Sequence, residues 1–442
     1  MGNRIGTNAA GDDSTPGFGN GGNGILLLGG GSVSGAAYGG TVKSNTLAFN
    51  GGCGVLVQGT AAGGARANIS RNSIFSNGRL GIDLAAPFQG VSDLHPVILS
   101  AVSDGDATLV RFNGLGTVEF FASPEPDASG FGEGKTFLGA PLSDGTERAV
   151  RLPRVAPGMF ITATSTVSYT TFPTASSATS EFSNAVEVRA GAIEPSASVA
   201  GRYVFYNQSY FDSGSAEANA QDDHAIDPVK RALLPGETAS FANVSTYSKG
   251  LNGVMFDLKD MPLGAQPPHV EVKMSVPGVR PGEPVTWVSA PQPATITRRN
   301  GAGAGQTDRI TLIWPNGAIK NRWLQVTVKA DAVSWLPRDD VFYFGNLIGE
   351  TGDAASPLRV SAMDVAATLR ATRRFPAPVG IREVYDINRD GTFAGTADVA
   401  AVRANVDRSL PPLVAPDAPV PAPAGAEPAV RRLEGVWAQL TL

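Results

Sequence analysis

The feature that most constrains this chain is an internal repeat. Val42-x-x-Asn45-x-Leu47-x-x-Asn50-Gly51-x-x-Gly54-Val55 matches Ile69-x-x-Asn72-x-Ile74-x-x-Asn77-Gly78-x-x-Gly81-Ile82, with every pair offset by 27. A looser copy, Asn20-Gly21-Gly22-x-Gly24-Ile25, precedes Asn50 by 30, and Asn3-x-Ile5 opens that earlier turn. A period in the twenties suits one coil of a parallel β-helix. Short strands are joined by turns, and apolar side chains stack on the same positions of the next coil. The repeated Asn is expected to take the left-handed backbone at a turn and to hydrogen-bond to its copies along the axis. Gly suits the other sharp corners. A leucine-rich repeat would need a dense Leu pattern that these residues lack. Residues 1–90 are therefore expected to be coils of a parallel β-helix. About three coils without a cap point to the tail of a longer array.

The rest of the chain is too long for one core, and three or four modules of roughly 100–200 residues are expected. With 53 Gly and 32 Pro in 442 residues and no G-X-Y period, collagen is excluded and long helices are disfavoured. Charged residues make up 17% and the net charge is −5, which argues against nucleic-acid binding driven by charge. No apolar run of about 18 residues occurs, so no membrane span is expected. The single cysteine, Cys53, forms no intramolecular disulfide and reads as a small buried hydrophobe. No basic-then-apolar leader opens the chain, so a secretion signal is expected in a missing front.

Residues 95–190 read as an immunoglobulin-like β-sandwich. Seven short apolar or alternating runs occur, over 97–102, 108–112, 117–122, 136–138, 148–152, 160–167 and 185–188. Residues 196–347 read as a second, larger β-domain, with clear alternation over 323–329. Carbohydrate binding there would need exposed aromatic rings. Tyr210, Phe211 and Trp287 lie in polar or Pro-rich stretches and are the candidates for exposure. The one dense acid–His cluster, Asp222-Asp223-His224, reads as a solvated loop whose Asp caps the turn at Ala225.

The firmest chemistry lies near the C-terminus. Asp386, Asn388 and Asp390 alternate before Gly391 and Thr392, and a carboxylate, Asp398, closes the stretch. Calcium is hard and takes six to eight oxygens. Side-chain oxygens at loop positions 1, 3 and 5, a Gly at 6 and a backbone carbonyl at 7 form an EF-hand-type loop. A regular 12-residue loop would close at Ala397, so one extra residue is inserted before Asp398. The following helix carries Val399, Val402 and Val406 as an apolar stripe. A second copy lies upstream, because Asp364-Val-Ala-Ala matches Asp398-Val-Ala-Ala. With Asp364 at position 12, position 1 falls on Asp353, and positions 3 and 5 on Ala355 and Pro357. That first loop is degenerate, and Glu350 or Ser361 is the available substitute ligand. Residues 411–425 read as a Pro/Ala linker unable to build a core, followed by a tail to 442.

These stretches also carry a resemblance. Asn72-Ser-Ile-Phe-Ser-Asn-Gly-Arg-Leu-Gly-Ile-Asp-Leu84 resembles the last coil of right-handed β-helix proteins of planctomycetes, which are large, modular and secreted. Val118-Glu-Phe-Phe-Ala-Ser-Pro124 and Thr179-Ser-Glu-Phe-Ser-Asn-Ala185 resemble the sandwich that follows. The tandem loop–helix units over 350–410 resemble a type I dockerin. By resemblance that module binds a cohesin-like partner or clasps the preceding sandwich. The expected fold class is thus mainly β and multi-domain. It comprises parallel β-helix coils, two β-sandwiches and a small α-helical EF-hand/dockerin-like module with Ca2+. The implied role is structural and binding, outside the cell or on its surface, in association with polysaccharide. Two alternatives stand beside it. One is a carbohydrate-binding module at 196–347. The other is a polysaccharide lyase or glycoside hydrolase using the coils, which would need stacked Asp residues. Asp12, Asp13 and Asp83 are on offer, but the residue one coil before Asp83 is Leu56.

Overall fold

The structure, a computed structural model, describes residues 2–11, 17–28, 38–59, 65–85, 95–169, 176–264, 266–277, 285–353, 357–372, 378–392 and 395–417. Asp12, Asp13, Ala355, residues 86–94, residues 393–394 and the tail 418–442 lie outside these residues. The described residues are mainly β, built from several sheets, with two short α-helices, both after residue 360.

The N-terminal strands are β1 (Arg4–Ile5), β2 (Ile25–Leu28), β3 (Tyr38–Lys43), β4 (Thr46–Ala48), β5 (Val55–Gln58), β6 (Ala65–Ser70), β7 (Ser73–Phe75) and β8 (Ile82–Ala85). They form three parallel ladders, β1-β4-β7, β2-β5-β8 and β3-β6. Val42 stands opposite Ile69, Leu47 opposite Ile74 and Val55 opposite Ile82, so the 27-residue repeat is the strand register. Leu47, Val55, Val57, Ile69, Ile74 and Ile82 are buried in one core. Leu56 stands opposite Asp83, so Asp83 has no carboxylate on the preceding coil. Its Oδ2 accepts instead from the buried Cys53 thiol, 3.4 Å away.

Two asparagine ladders run along the stack. Asn3, Asn45 and Asn72 form one; Asn20, Asn50 and Asn77 form the other. In each step both the backbone N–H and the side-chain Nδ2 donate to Oδ1 of the next Asn, as from Asn50 to Asn77 at 3.2 and 2.8 Å. The left-handed corners are not at these Asn residues. They fall one residue earlier, on Ser44, Phe49, Arg71 and Ser76, with φ of 55, 59, 53 and 53°. Each Asn backbone N–H is committed to the ladder, so the chain must turn just before it. The left-handed backbone costs about 1–2 kcal/mol per non-Gly residue, which two amide hydrogen bonds per step offset.

The next strands are β9 (Val97–Ser103), β10 (Ala107–Ser123), β11 (Thr136–Gly139), β12 (Leu142–Pro153), β13 (Phe160–Tyr169), β14 (Ser176–Thr179), β15 (Val186–Glu187) and β16 (Arg189–Ala190). The two runs expected at 108–112 and 117–122 are one continuous strand, β10. Its first half pairs with β9 and β12, and its second half with β11 and β13. The register shifts between Asn113 and Leu115, and Gly116 has φ of 82°, so the chain bends without breaking. All eight strands consequently join one hydrogen-bonded sheet.

This region packs on the last strands of the three parallel ladders. Ile74 and Gly134 exchange two backbone hydrogen bonds of 2.8 and 2.7 Å. Phe121 and Phe182 complete the coil core. Three glutamates meet N–H groups of the last coil. Glu119 accepts from Arg71 N at 2.7 Å, Glu133 from Asn77 N at 3.1 Å and Nδ2 at 2.9 Å, and Glu181 from Leu84 N at 2.9 Å. Glu133 thus stands where the next ladder Asn would be. A bare strand edge is a template for pairing with other chains, and these contacts cover it.

Burial drives the Glu133 carboxyl up to about 7, against the downward pull of the Asn77 hydrogen bonds. A carboxyl whose pKa is higher in the folded than in the unfolded state holds its proton longer when folded. Its contribution to stability therefore falls as pH rises from the ordinary Glu range through about 7. The expected loss is about 3 kcal/mol between about pH 4 and pH 8, absent in Glu133→Gln. Denaturant melts of both proteins at the two pH values check this. A difference between them that does not change with pH would refute it.

The second β-region has β17 (Ser198–Val204), β18 (Val244–Ser245), β19 (Gly253–Lys259), β20 (Val270–Ser275), β21 (Trp287–Ser289), β22 (Thr295–Arg299), β23 (Asp308–Ile313), β24 (Arg322–Val328) and β25 (Asp340–Asn346). They form two sheets, β17-β19-β23-β22 and β18-β25-β24-β20-β21. Between them lie Val254, Phe256, Ile310, Leu312, Trp314, Leu324, Val326, Phe342 and Phe344. Residues 239–241 lead into a 3-10 turn at Phe241–Asn243. The Asp222–His224 cluster is not a solvated loop. Asp222 is fully buried in the 3-10 turn Ala220–Ala225, and its Oδ2 accepts from Asn219 N, the turn's N-cap, at 2.9 Å. Asp223 pairs with Arg299 and Arg309.

The helices α1 (Ala362–Ala371) and α2 (Thr396–Arg403) follow. They pack onto the second β-region through a shared core of Trp323, Tyr343, Leu358, Val360, Ile387, Val402 and Leu410. Residues 411–415, expected as a linker, join that core. Leu413 and Ala415 are buried, and their backbone pairs with that of 236–239. The indole of Trp323 donates to Pro411 O at 2.9 Å. A Pro-rich stretch keeps its carbonyls, and an edge that supplies donors can hold it. α2 ends before Val406, which is more than a third exposed.

Candidate metal centre

Each helix begins with an aspartate at its third position, Asp364 in α1 and Asp398 in α2. Both are fully buried. α1 starts with a capping box. Ser361 Oγ accepts from Met363 N at 2.9 Å and Asp364 Oδ2 accepts from Ser361 N at 2.7 Å. α2 starts at Gly395, with φ of 71° and no side-chain cap. Asp398 is therefore released from capping and turns to the loop. Its Oδ1 accepts from Ile387 N at 2.7 Å and from Asn388 N at 3.1 Å. Its Oδ2 is buried with no hydrogen-bond partner.

The other predicted ligands surround the same turn. Asp386 is fully buried and accepts from Asp390 N at 3.2 Å and Gly391 N at 3.1 Å. Asn388 Oδ1 accepts from Asp390 N at 3.0 Å, and Asp390 Oδ1 from Thr392 N at 2.8 Å. Positive φ at Arg389 and Gly391 winds the loop tightly. A side chain at Gly391 would also strike Tyr210, because its Cβ would lie 2.3 Å from that ring. Burial raises the Asp386 carboxyl to about 6, with Asp398 and Asp390 adding to the rise and Arg389 opposing it. Burial also raises Asp398. An orphaned buried carboxylate oxygen costs about 1–3 kcal/mol or more, and a cation is one remedy. The side-chain donors here are oxygens, the kind a hard cation takes, but the carboxylates of this loop are not drawn together within 4.8 Å as those of Glu350, Asp353 and Asp364 are.

The first loop has a different register from the one spacing implies. Thr351 N donates to Asp364 Oδ1 at 2.8 Å, as Ile387 N donates to Asp398 Oδ1. The residue before each donor is Glu350 in one loop and Asp386 in the other. Glu350, not Asp353, is thus the counterpart of Asp386. The count misleads because Asp364 lies 14 positions after Glu350, whereas Asp398 lies 12 positions after Asp386. Asp353 still belongs to the cluster. Single oxygens of Glu350, Asp353 and Asp364 lie within 4.8 Å of one another. This is the only such acidic trio among the described residues. Burial raises the Glu350 carboxyl to about 7, with Asp364 and Asp353 adding to the rise.

The 386–392 loop is anchored in the second β-region. Ser248 N donates to Ile387 O at 2.8 Å. Arg389 is almost fully buried and donates to Glu383 O, to Tyr206 Oη at 3.0 Å and to Thr246 Oγ1 at 3.3 Å. Its guanidinium lies 4.4 Å from the Tyr206 ring centre. Of the aromatic candidates, Tyr210 is 60% exposed. Phe211 is half-buried against the Tyr206–Tyr247 cluster. Trp287 is half-buried against Tyr343, 5.4 Å between ring centres. Arg389 carried no sequence signal, because a basic residue between loop ligands reads as solvated until its neighbours in space are known.

No protein-family model matches the chain, and no curated protein matches it. Among solved structures it is similar to a marsupial T cell receptor, at 7% identity over 58% of this chain and 73% of that one, with a TM-score of 0.15.

Proposed function

We propose that this chain is a structural and binding part of a modular protein that works outside the cell or on its surface. In this reading residues 1–90 are coils of a parallel β-helix, capped by an immunoglobulin-like domain. Residues 350–410 are a dockerin-like unit that takes up Ca2+ through Asp386, Asn388, Asp390, the Thr392 carbonyl and Asp398. Glu350, Asp353 and Asp364 form a second, less regular site. The observation that carries the reading is the buried, partnerless Oδ2 of Asp398, set against a D-x-N-x-D-G loop. The shared core around Trp323 and Ile387 favours a clasp on the preceding domain over a separate docking partner.

Calorimetric titration of Ca2+ into chelator-stripped protein tests the ion sites. Micromolar to millimolar binding is expected. Asp398→Asn should abolish the 386–398 site. That variant keeps an oxygen for the Ile387 and Asn388 N–H groups and removes the charge. No heat at millimolar Ca2+ would reject the reading.

A further inference from the structure

Beside the 386–392 loop lies an open cleft whose other walls the ion reading does not use. It is lined by residues 208–211, 213 and 214, by Asn388, Arg389 and Asp390, and by His224 and Lys249. We propose that this cleft binds one pyranose ring of a polysaccharide, stacked on Tyr210, and that the ion loop sets its shape.

Tyr210 is the first ground. Other aromatics of this region, Tyr206, Tyr247, Trp314 and Trp323, are buried, while Tyr210 remains 60% exposed. It is nevertheless held firmly. Its N–H donates to Arg389 O at 2.9 Å, its carbonyl accepts from Ser213 N at 3.2 Å, and Phe211 packs edge-on at 5.6 Å. An exposed ring fixed before the ligand arrives loses little entropy on binding. The second ground is the polar lining. Gln208, Ser213, His224 and Lys249, leaving aside the loop oxygens that the ion would take, offer both donors and acceptors. A pyranose has an apolar C–H face for the ring and hydroxyls that both give and take hydrogen bonds. A strongly anionic ligand fits less well, because Asp390 lines the same cleft and Lys249 already donates to Gln208 O at 2.6 Å. The third ground is coupling. Tyr210 packs on Gly391 and bonds Arg389, so an ion that orders residues 386–392 also orders the stacking platform.

This inference rests on the ion reading for its coupling alone. The full chain is titrated calorimetrically with hexasaccharides of glucose, xylose, mannose and N-acetylglucosamine, and with oligogalacturonate, in 1 mM Ca2+ and in EGTA. One of the neutral sugars is expected to bind. Tyr210→Phe should keep that affinity. Tyr210→Leu, which still covers Gly391, should weaken it at least tenfold, with circular dichroism and the thermal midpoint reporting an intact fold. EGTA should weaken wild-type binding. No binding by any neutral sugar, or equal affinity in Tyr210→Leu, overturns the site. Equal affinity in EGTA overturns the coupling. The separate Ca2+ titration shows whether the ion reading stands in either case.

Discussion

Chelation with EGTA lowers the thermal midpoint of the unit formed by the second β-region and the helices, by an expected 5–10 °C or so. The size follows from linkage. An ion at about 1 mM, bound with a dissociation constant of about 10 µM, stabilises the folded state by about 2.7 kcal/mol. One kcal/mol moves the midpoint of a unit of this length by roughly 2–4 °C. The loop does not melt alone, because Ile387 lies in the same core as Trp323 and Tyr343. Trp323 is fully buried and touches the C-terminal stretch through Pro411, so its fluorescence reports the event. Asp398→Asn should show most of the lowering already in Ca2+, and EGTA should then move its midpoint only by what the Glu350, Asp353 and Asp364 site contributes. A wild-type midpoint that EGTA leaves unmoved would show that the loop carries no stabilising ion.

Replacing Arg389 by Met should cost about 3–5 kcal/mol whether or not Ca2+ is present. The guanidinium is buried against the Tyr206 ring, and its hydrogen bonds reach Tyr206, Thr246 and the Glu383 carbonyl. The Tyr206 hydroxyl in turn donates to the buried Asp227. Met fills part of the volume and satisfies none of these groups. Asn388→Ala is the contrast, since its side chain faces the loop and not the core. It should lower stability in Ca2+ and leave the EGTA-treated protein unchanged. Urea melts of both variants, each with Ca2+ and with EGTA, separate the two roles. If Arg389→Met falls within 1 kcal/mol or so of wild type in EGTA, the buried guanidinium is not holding the loop in place.

Much of the architecture was legible because it depends on period. The 27-residue offset became strand register, since stacked coils must repeat their inward residues at one interval. The alternation over 323–329 became β24. Errors arose where contacts across long separations decide. Residues 108–112 and 117–122 look like two strands divided by Gly114 and Gly116, yet β10 runs through both because it has different partners on each half. Asp222 looks solvated beside Asp223 and His224, yet it is the buried arm of a capping box. Phe211 and Trp287 sit in polar stretches and are still half-covered by remote aromatic residues.

The candidate site divides along the same line. Residue types and spacing alone picked out Asp386, Asn388, Asp390, Thr392 and Asp398, because an oxygen-seeking ion needs ligands at fixed intervals along one tight loop. Spacing could not choose between Asp353 and Glu350, since a loop may lengthen by two residues and still bring its first carboxylate to the helix start. Only the tertiary structure placed Glu350 opposite Asp364, buried Arg389 among Tyr206 and Thr246, and set Glu119, Glu133 and Glu181 on the last coil. Local order follows from the nearest few residues. Contacts of this second kind join groups far apart in the chain, and packing alone determines which of them meet.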